Sequence, residues 1–162
     1  MIKKLISIVV PAYNEEGNLV ELHKQLTANL QKCPQINYEI IFVNDGSKDN
    51  SLKIMQQILK LDSHVRIVNF ARNFGHEIAM TAGLDYARGE AVIFMDSDLQ
   101  HPPALVPQMI EKWLAGYDVV LTRVTNNEDK GPFKKLASTC FYKLISLISD
   151  VRIPEKMPDF RL

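Results

Sequence analysis

Hydrophobic and polar positions along the chain follow two patterns, short apolar runs and stretches with helical spacing. The apolar runs are too short to indicate helices and predict five buried strands, at residues 5–10, 38–43, 65–70, 91–95 and 118–122. Between the first two runs, leucines recur at a spacing that predicts an amphipathic helix: Leu19, Leu22, Leu26 and Leu30. This alternation predicts an α/β fold of three layers, a mostly parallel twisted sheet with helices on both faces.

Boundary residues refine the predicted helices. Asn14 is expected to cap the first helix, and Ser47 or Asp49 the second, because short polar side chains accept hydrogen bonds from the first N–H groups of a helix. Further helices are predicted over 76–87, between Pro102 and Gly116, and over 132–149.

Composition narrows the class of protein. With 162 residues, the chain is predicted to form one domain that spans 1–162. Its formal net charge is zero, which argues against a general nucleic-acid binder, since such proteins carry a surplus of basic residues. Cys33 and Cys140 match no zinc-binding spacing and are expected to be reduced thiols of a cytoplasmic protein.

Polar side chains follow every predicted strand. Ligands of parallel sheets bind at the carboxyl ends of the strands, so these side chains are expected at one edge. Asp96 and Asp98 follow the fourth strand, and in an extended chain their carboxylates point the same way, roughly 6–7 Å apart. Carboxylate oxygens suit Mg²⁺ or Mn²⁺, which typically bridge protein carboxylates to substrate phosphates. The alternative is a solvated turn that caps the following helix.

Two common nucleotide signatures are missing. The first strand is followed by no Gly-x-Gly-x-x-Gly, and the chain contains no Gly-Lys-Ser/Thr phosphate loop. A metal ion and arginine would therefore have to neutralise phosphates. Tyr13 is a candidate for stacking on a base, and Asp45 for accepting hydrogen bonds from base or ribose. The alternatives are a packed turn aromatic and a turn-forming residue before Gly46.

Several motifs together resemble a known family. They occupy residues 8–15, 43–47, 72–75, 96–103 and 158–162, in that order. In this combination the chain resembles the nucleotide-sugar domain of family 2 glycosyltransferases, which have the so-called A-type fold. Within that family it is similar to the polyprenyl-phosphate sugar transferases, of the dolichol-phosphate mannose synthase and bactoprenol glucosyltransferase types. The resemblance implies an N-terminal part of a longer membrane-associated enzyme.

The resemblance also implies where a nucleoside-diphosphate sugar donor would bind. The residues that it assigns to the base and ribose are Pro11, Tyr13, Glu15, Val43 and Asp45. Asp96 and Ser97 would contact the nucleotide, with Asp96 on the ribose or beside the metal, and Asp98 would bind the metal on the diphosphate.

The remaining implied roles concern the phosphates and the acceptor. Gln100 would lie near the donor phosphate or sugar, and Arg123 would face phosphate. Asp159 matches the family's acid near the acceptor, where it acts as a base or orients the acceptor. With Asp98 on the metal, Asp159 completes the expected catalytic pair.

The implied reaction is an inverting transfer in which a lipid-phosphate oxygen attacks the anomeric carbon of the donor sugar, with UDP favoured as the nucleotide. One alternative is a family 2 transferase that acts on a polysaccharide or cell-surface glycan. Another is a nucleotide-sugar binding module without turnover. A sugar nucleotidyltransferase is disfavoured because no Gly-rich turn follows the first strand.

The helix over 133–148 places several apolar residues along one face. It is interpreted either as an interfacial helix at the cytoplasmic face of the membrane or, with preference, as an ordinary core-facing helix. If the helix is exposed, this face offers a contact for a homo-oligomer. His76 and His101 are expected to take capping or hydrogen-bonded loop roles, since a carboxylate–phosphate metal site needs no imidazole.

Overall fold

The computed structural model describes residues 3–122 and 160–162. Contacts divide the chain into one unit of Met1–Val120 with Asp159–Leu162 and a second unit of Leu121–Pro158. The strands are β1 (Lys4–Ala12), β2 (Ile36–Asn44), β3 (Val65–Asn69) and β4 (Ala91–Phe94). The helices are α1 (Leu19–Leu30), α2 (Ser51–Leu61), α3 (His76–Tyr86) and α4 (Val106–Leu114), the last preceded by a 3₁₀ turn at Pro103–Leu105. Cys140, Arg123, Asp159 and the predicted helix over 132–149 lie outside the described residues.

The four strands form one parallel sheet in the order β3-β2-β1-β4. This arrangement confirms the predicted α/β class with a mostly parallel sheet. Parallel strands covered on both faces are expected to be apolar throughout, and the central strands β1 and β2 are buried along most of their length.

Side chains alternate between two cores, one on each face of the sheet. Ile8, Val10 and Phe42 belong to the larger core, which includes buried residues of α1, α2 and α4. Val9 and Val43 belong to the smaller core, beneath α3. Gly83 brings α3 close to the sheet, since a Cβ atom at this position would lie 3.1 Å from Cγ2 of Val43. The three predicted layers are therefore present.

The prediction of a fifth strand over 118–122 is wrong. Val119 is 63% exposed, and Val120 instead exchanges two backbone hydrogen bonds with Leu162, of 2.8 and 3.0 Å. Arg161 pairs with Phe94 of β4 in antiparallel orientation, and its carbonyl accepts the Phe94 N–H at 2.9 Å. A distant segment therefore occupies the edge beside β4, and a local apolar run carries no information about such a partner.

Helix boundaries differ from the predictions at one loop. Helix α1 begins at Leu19 and not near Asn14, which adopts a left-handed conformation with φ of 59°. The side chain of Asn14 instead accepts the Lys48 N–H at 2.8 Å. The prediction that Ser47 or Asp49 caps α2 is wrong, since Asn50 is the N-cap residue. Asp49 lies one position earlier, and its Oδ1 accepts the Ser51 N–H at 2.9 Å. None of the helices in the described ranges has the length and apolar character of a membrane span.

Candidate functional site

A cavity of about 470 Å³ opens at the carboxyl edge of the sheet. Seven of the predicted site residues line it: Pro11, Tyr13, Glu15, Asp45, Asp96, Ser97 and Asp98. The loops after β1, β2, β3 and β4 all contribute to its wall, as the rule for parallel sheets leads one to expect. The structure therefore brings together residues that are up to 87 positions apart, from Pro11 to Asp98.

Two predicted residues do not line this cavity. Val43 is fully buried in the smaller core, because its position in β2 points toward α3. Gln100 is exposed, and its backbone N–H donates to Asp98 at 3.0 Å. Arg123 and Asp159 lie outside the described residues. Asn73, a polar residue that follows the third strand and was expected at this edge, also lines the cavity. Four further lining residues were not predicted: Ala12, Gly75, His76 and Ala79.

The loops after β1 and β2 are joined by a set of hydrogen bonds. Three consecutive N–H groups, of Asn14, Glu15 and Glu16, donate to Ser47 Oγ at 3.0 Å, Ser51 Oγ at 2.8 Å and Asp49 Oδ2 at 3.1 Å. Burial acts to raise the pKa of Asp49, but hydrogen bonds from Ser51 and Glu16 outweigh it and lower this pKa. These contacts support the rim of the cavity at Tyr13, an aromatic residue that is 41% exposed and can serve as a stacking surface.

Asp45 ties the end of β2 to the loop before α3. It is only 3% exposed, and its two carboxylate oxygens accept the N–H groups of Phe74 at 2.7 Å and Gly75 at 3.0 Å. Each carboxylate oxygen has two lone pairs, so these bonds leave capacity for a ligand. The loop brings Asn73 and Gly75 into the wall. The position of Asn73 after a predicted strand was a signal for this residue, whereas Gly75 was indicated only by the motif at 72–75.

The loop after β4 directs Asp98 into the cavity. Oδ1 of Asp98 accepts the Gln100 N–H, and Leu99 between them has a left-handed φ of 64°. A left-handed conformation costs a residue with a Cβ atom about 1–2 kcal/mol, and such strain is typical of functional loops. Ser97 is buried and both flanking aspartates face the cavity, in contrast to the alternative of a solvated turn.

Two histidines flank the carboxylate of Asp96. Nε2 of His76 lies 3.4 Å from Oδ1, and Nδ1 of His101 lies 3.5 Å from Oδ2. The Asp96 N–H also donates to Nδ1 of His101 at 3.1 Å, so His101 has the predicted hydrogen-bonded loop role. His76 begins α3 and lines the cavity.

The donor set of the cavity fits a divalent metal that is shared with a substrate. In the part of the chain that the structure describes, no group of three or more His, Cys, Asp and Glu residues has the geometry of a protein-only metal site. Asp96 and Asp98 offer hard carboxylate oxygens on one wall. Mg²⁺ is commonly held by one or two carboxylates together with substrate phosphates and water, which is the kind of site that this pair suits.

Comparison with known sequences places the chain in a family. The profile of glycosyl transferase family 2 matches residues 7–162. A bactoprenol glucosyl transferase of Shigella phage SfV is 43% identical over 157 residues, which are 97% of this chain and 51% of that protein. An uncharacterised glycosyltransferase of Bacillus subtilis is 47% identical over 156 residues, 96% of this chain and 48% of that protein. The chain thus spans about half the length of the curated relatives it matches.

Solved structures share the fold. Glucosyl-3-phosphoglycerate synthase from Mycobacterium tuberculosis, in complex with Mn²⁺, UDP and phosphoglyceric acid, has a TM-score of 0.67 at 24% identity, covering 98% of this chain and 55% of that one. Residues 1–349 of TarS from S. aureus, in complex with UDP-GlcNAc, have a TM-score of 0.63 at 26% identity, covering 81% of this chain and 37% of that one. The profile match, which spans residues 7–162, shows that the chain belongs to glycosyl transferase family 2.

Proposed function

We propose that this chain binds a nucleoside-diphosphate sugar, with UDP favoured, and transfers the sugar to a polyprenyl phosphate with inversion. The observation that carries the proposal is the shared cavity of Tyr13, Asp45 and Asp98, which come from three different loops. An aromatic ring, a buried carboxylate and a metal-binding carboxylate are the groups that a base, a ribose and a diphosphate require. Family membership supports the reaction class.

The charge of the cavity supports a metal-dependent mechanism. Among its described lining residues are four acids, Glu15, Asp45, Asp96 and Asp98, and no lysine or arginine. A diphosphate is itself an anion, so its binding beside these carboxylates requires a compensating cation. Mg²⁺ or Mn²⁺ on Asp98, with Asp96 on the ribose or assisting the metal, would supply that charge. The bound metal would offset the negative charge that develops on the leaving diphosphate.

The acceptor half of the proposal rests on resemblance. A relative at 43% identity is named a bactoprenol glucosyl transferase, which supports a lipid-phosphate acceptor. We propose that the transfer takes place at the cytoplasmic face of the membrane. A phosphate monoester has its second pKa at about 6, so it is already ionised near neutral pH and needs little deprotonation. Asp159 would then orient the acceptor, and Arg123 would face phosphate. These two roles, like membrane contact through 133–148, concern residues outside the described ranges.

The proposal is tested by donor binding and by transfer. Asp98→Ala is expected to weaken the Mn²⁺-dependent binding of UDP-glucose at least about tenfold, because one metal–carboxylate bond is lost. Isothermal titration calorimetry with and without Mn²⁺ measures this change. Asp85→Ala, on the exposed side of α3, is the matched control and should bind as the unaltered chain does. Equal donor affinity in Asp98→Ala would remove the metal role.

A sugar-transfer assay distinguishes the proposed lipid-phosphate acceptor from the alternative functions. The unaltered chain is incubated with radiolabelled UDP-glucose, Mn²⁺ and a polyprenyl phosphate, and lipid-soluble label is counted. Label in the lipid fraction supports the proposal. Donor binding without transfer or hydrolysis indicates a nucleotide-sugar binding module. Label that appears only with a polysaccharide acceptor indicates a glycan transferase.

A further inference from the structure

The backbone at the start of the Asp96–Asp98 loop is held by one side chain. The Asp96 N–H donates to Nδ1 of His101 at 3.1 Å, which requires a lone pair on this nitrogen and places the ring proton on Nε2. With Nδ1 already acting as an acceptor, the 3.5 Å approach of Asp96 Oδ2 to the same atom is a close contact and not an ion pair. His101 therefore acts on Asp96 through the main chain.

The face of the His101 ring packs on a residue from the far end of the chain. The rings of His101 and Phe160 are stacked, with centroids 5.1 Å apart and planes inclined by 14°. Phe160 is only 1% exposed and belongs to the larger core, while the His101 side chain is 16% exposed. One imidazole thus bonds to the carboxylate loop at its edge and packs on a fixed aromatic ring with its face.

The segment that carries Phe160 is itself fixed to the sheet edge. The Arg161 carbonyl accepts the Phe94 N–H at 2.9 Å, and Leu162 exchanges two backbone hydrogen bonds with Val120. Phe94 is the last residue of β4, two residues before Asp96. The segment Phe160–Leu162 therefore contacts the residues on both sides of the Asp96–Asp98 loop, Phe94 at the end of β4 and His101 after the loop.

We propose that His101 is a positioning residue for the sugar donor. Its ring is held by packing on Phe160, and its Nδ1 in turn holds the backbone of Asp96 in place. This inference rests on the proposed function, since Asp96 and Asp98, whose loop His101 would hold, are the residues assigned to the ribose and the metal. Imidazole combines a flat stacking face with a hydrogen-bond acceptor at its edge. Asparagine provides the acceptor without the stacking face, and phenylalanine provides the face without the acceptor, so the two roles are separable.

Three substitutions, compared with the unaltered chain, test the proposal. His101→Ala removes both contacts and is expected to weaken Mn²⁺-dependent UDP-glucose binding roughly tenfold, the scale of one lost hydrogen bond. His101→Asn is expected to recover affinity to within about threefold, because its amide oxygen accepts from Asp96. His101→Phe is expected to bind donor as weakly as the alanine variant while its melting temperature stays near that of the unaltered chain. Calorimetry and thermal unfolding provide the two readouts.

Each outcome of this comparison decides the proposal. The proposal is supported if affinity for UDP-glucose depends on the hydrogen-bond acceptor at position 101, and is therefore high in His101→Asn and low in His101→Phe. Unchanged affinity in His101→Ala, or affinity that simply tracks melting temperature across the three variants, overturns it while the proposed function stands. If the unaltered chain binds no UDP- or GDP-sugar with Mn²⁺, the proposed function and this inference both fall.

Phe160→Leu keeps an apolar side chain and is expected to weaken donor binding in the same direction. If the His101 variants do not fold, unchanged binding in Phe160→Leu overturns the proposal.

Discussion

Individual residues in unusual backbone conformations shape the loops around the cavity. Asn14, Gly46 and Leu99 all have a left-handed φ, of 59°, 67° and 64°. Asparagine tolerates this region and glycine adopts it freely, whereas leucine is strained there. Lack of space also requires glycine at position 46, because a Cβ atom there would lie 2.5 Å from the backbone nitrogen of Asn73. The close approach of two loops therefore depends on a missing side chain.

Gly46→Ala is expected to lower the free energy of unfolding by more than about 2 kcal/mol, because the strain of a left-handed alanine adds to a backbone collision. Urea denaturation measures the loss. Gly17→Ala is the matched control: nothing lies within 4 Å of a Cβ atom there. It should change stability by less than about 1 kcal/mol. Equal effects at the two glycines would contradict the role of the loop contact.

At the scale of elements, the cavity depends on how its loops are tied to one another. The loops after β1 and β2 are joined by side-chain acceptors that satisfy consecutive backbone N–H groups, and Asp45 ties β2 to the start of α3. Ser51, the first residue of α2, is fully buried and accepts the Glu15 N–H. An N–H group that is shielded from water carries a desolvation penalty when it loses its partner, so the partly buried bonds of Glu15 and Gly75 are the costlier ones to remove.

Ser51→Ala is expected to cost about 1–3 kcal/mol of stability, because the Glu15 N–H loses its buried acceptor. It should also weaken UDP-glucose binding, since Glu15 lines the cavity. Chemical denaturation and calorimetry report the two effects. Thr81→Ala is the control: this exposed hydroxyl donates only within its own helix, to the Glu77 carbonyl. Its removal should change neither quantity by more than experimental error, and a loss of donor affinity there would undermine the assignment.

At the scale of the whole molecule, carboxylates lie at both ends of the sheet but have different surroundings. Carboxylates at the cavity are arranged for a ligand, whereas Glu39, near the amino ends of the strands, is satisfied within the protein. Ser7 Oγ donates to it at 2.7 Å, Arg66 at 3.0 Å and the Arg88 N–H at 2.8 Å. Burial acts to raise the pKa of Glu39, but these hydrogen bonds and the Arg66 charge outweigh it and lower this pKa.

The lowered pKa of Glu39 makes stability depend on acid in a defined direction. Its pKa in the folded state lies below the ordinary value of 4.5, so its contribution to stability is complete above that pH and is lost as pH falls through the folded pKa. The difference in unfolding free energy between the unaltered chain and Glu39→Gln should therefore shrink between pH 6 and pH 3. Urea denaturation across this range measures the difference.

Glu111→Gln, on the exposed side of α4, provides the comparison for this acid dependence. The unfolding free energy of Glu111→Gln should depend on pH in the same way as that of the unaltered chain. A difference between the unaltered chain and Glu39→Gln that stays constant down to pH 3 would show that the charge of Glu39 does not contribute in the way described.

The local sequence was sufficient to predict most of the described elements. Strands β1 to β4 were predicted because strands buried on both faces are short apolar runs. The helix with leucines at 19, 22, 26 and 30 was predicted because its buried face repeats with the helical period. The Asp96–Asp98 loop was predicted to lie at the carboxyl edge because the topology of parallel strands leaves it no other place. Seven of the predicted site residues consequently line one cavity.

Only the tertiary structure decided how distant segments complete this site. Phe160–Leu162 lies beside β4 through backbone hydrogen bonds, and every residue except proline has the same backbone donor and acceptor, so no side-chain pattern announces the pairing. The hydrogen bond that the Gly75 N–H donates to Asp45 and the stack of His101 on Phe160 likewise join residues far apart in the chain. Local periodicity records which face of an element is buried, whereas the identity of its distant neighbour is settled only when the chain packs.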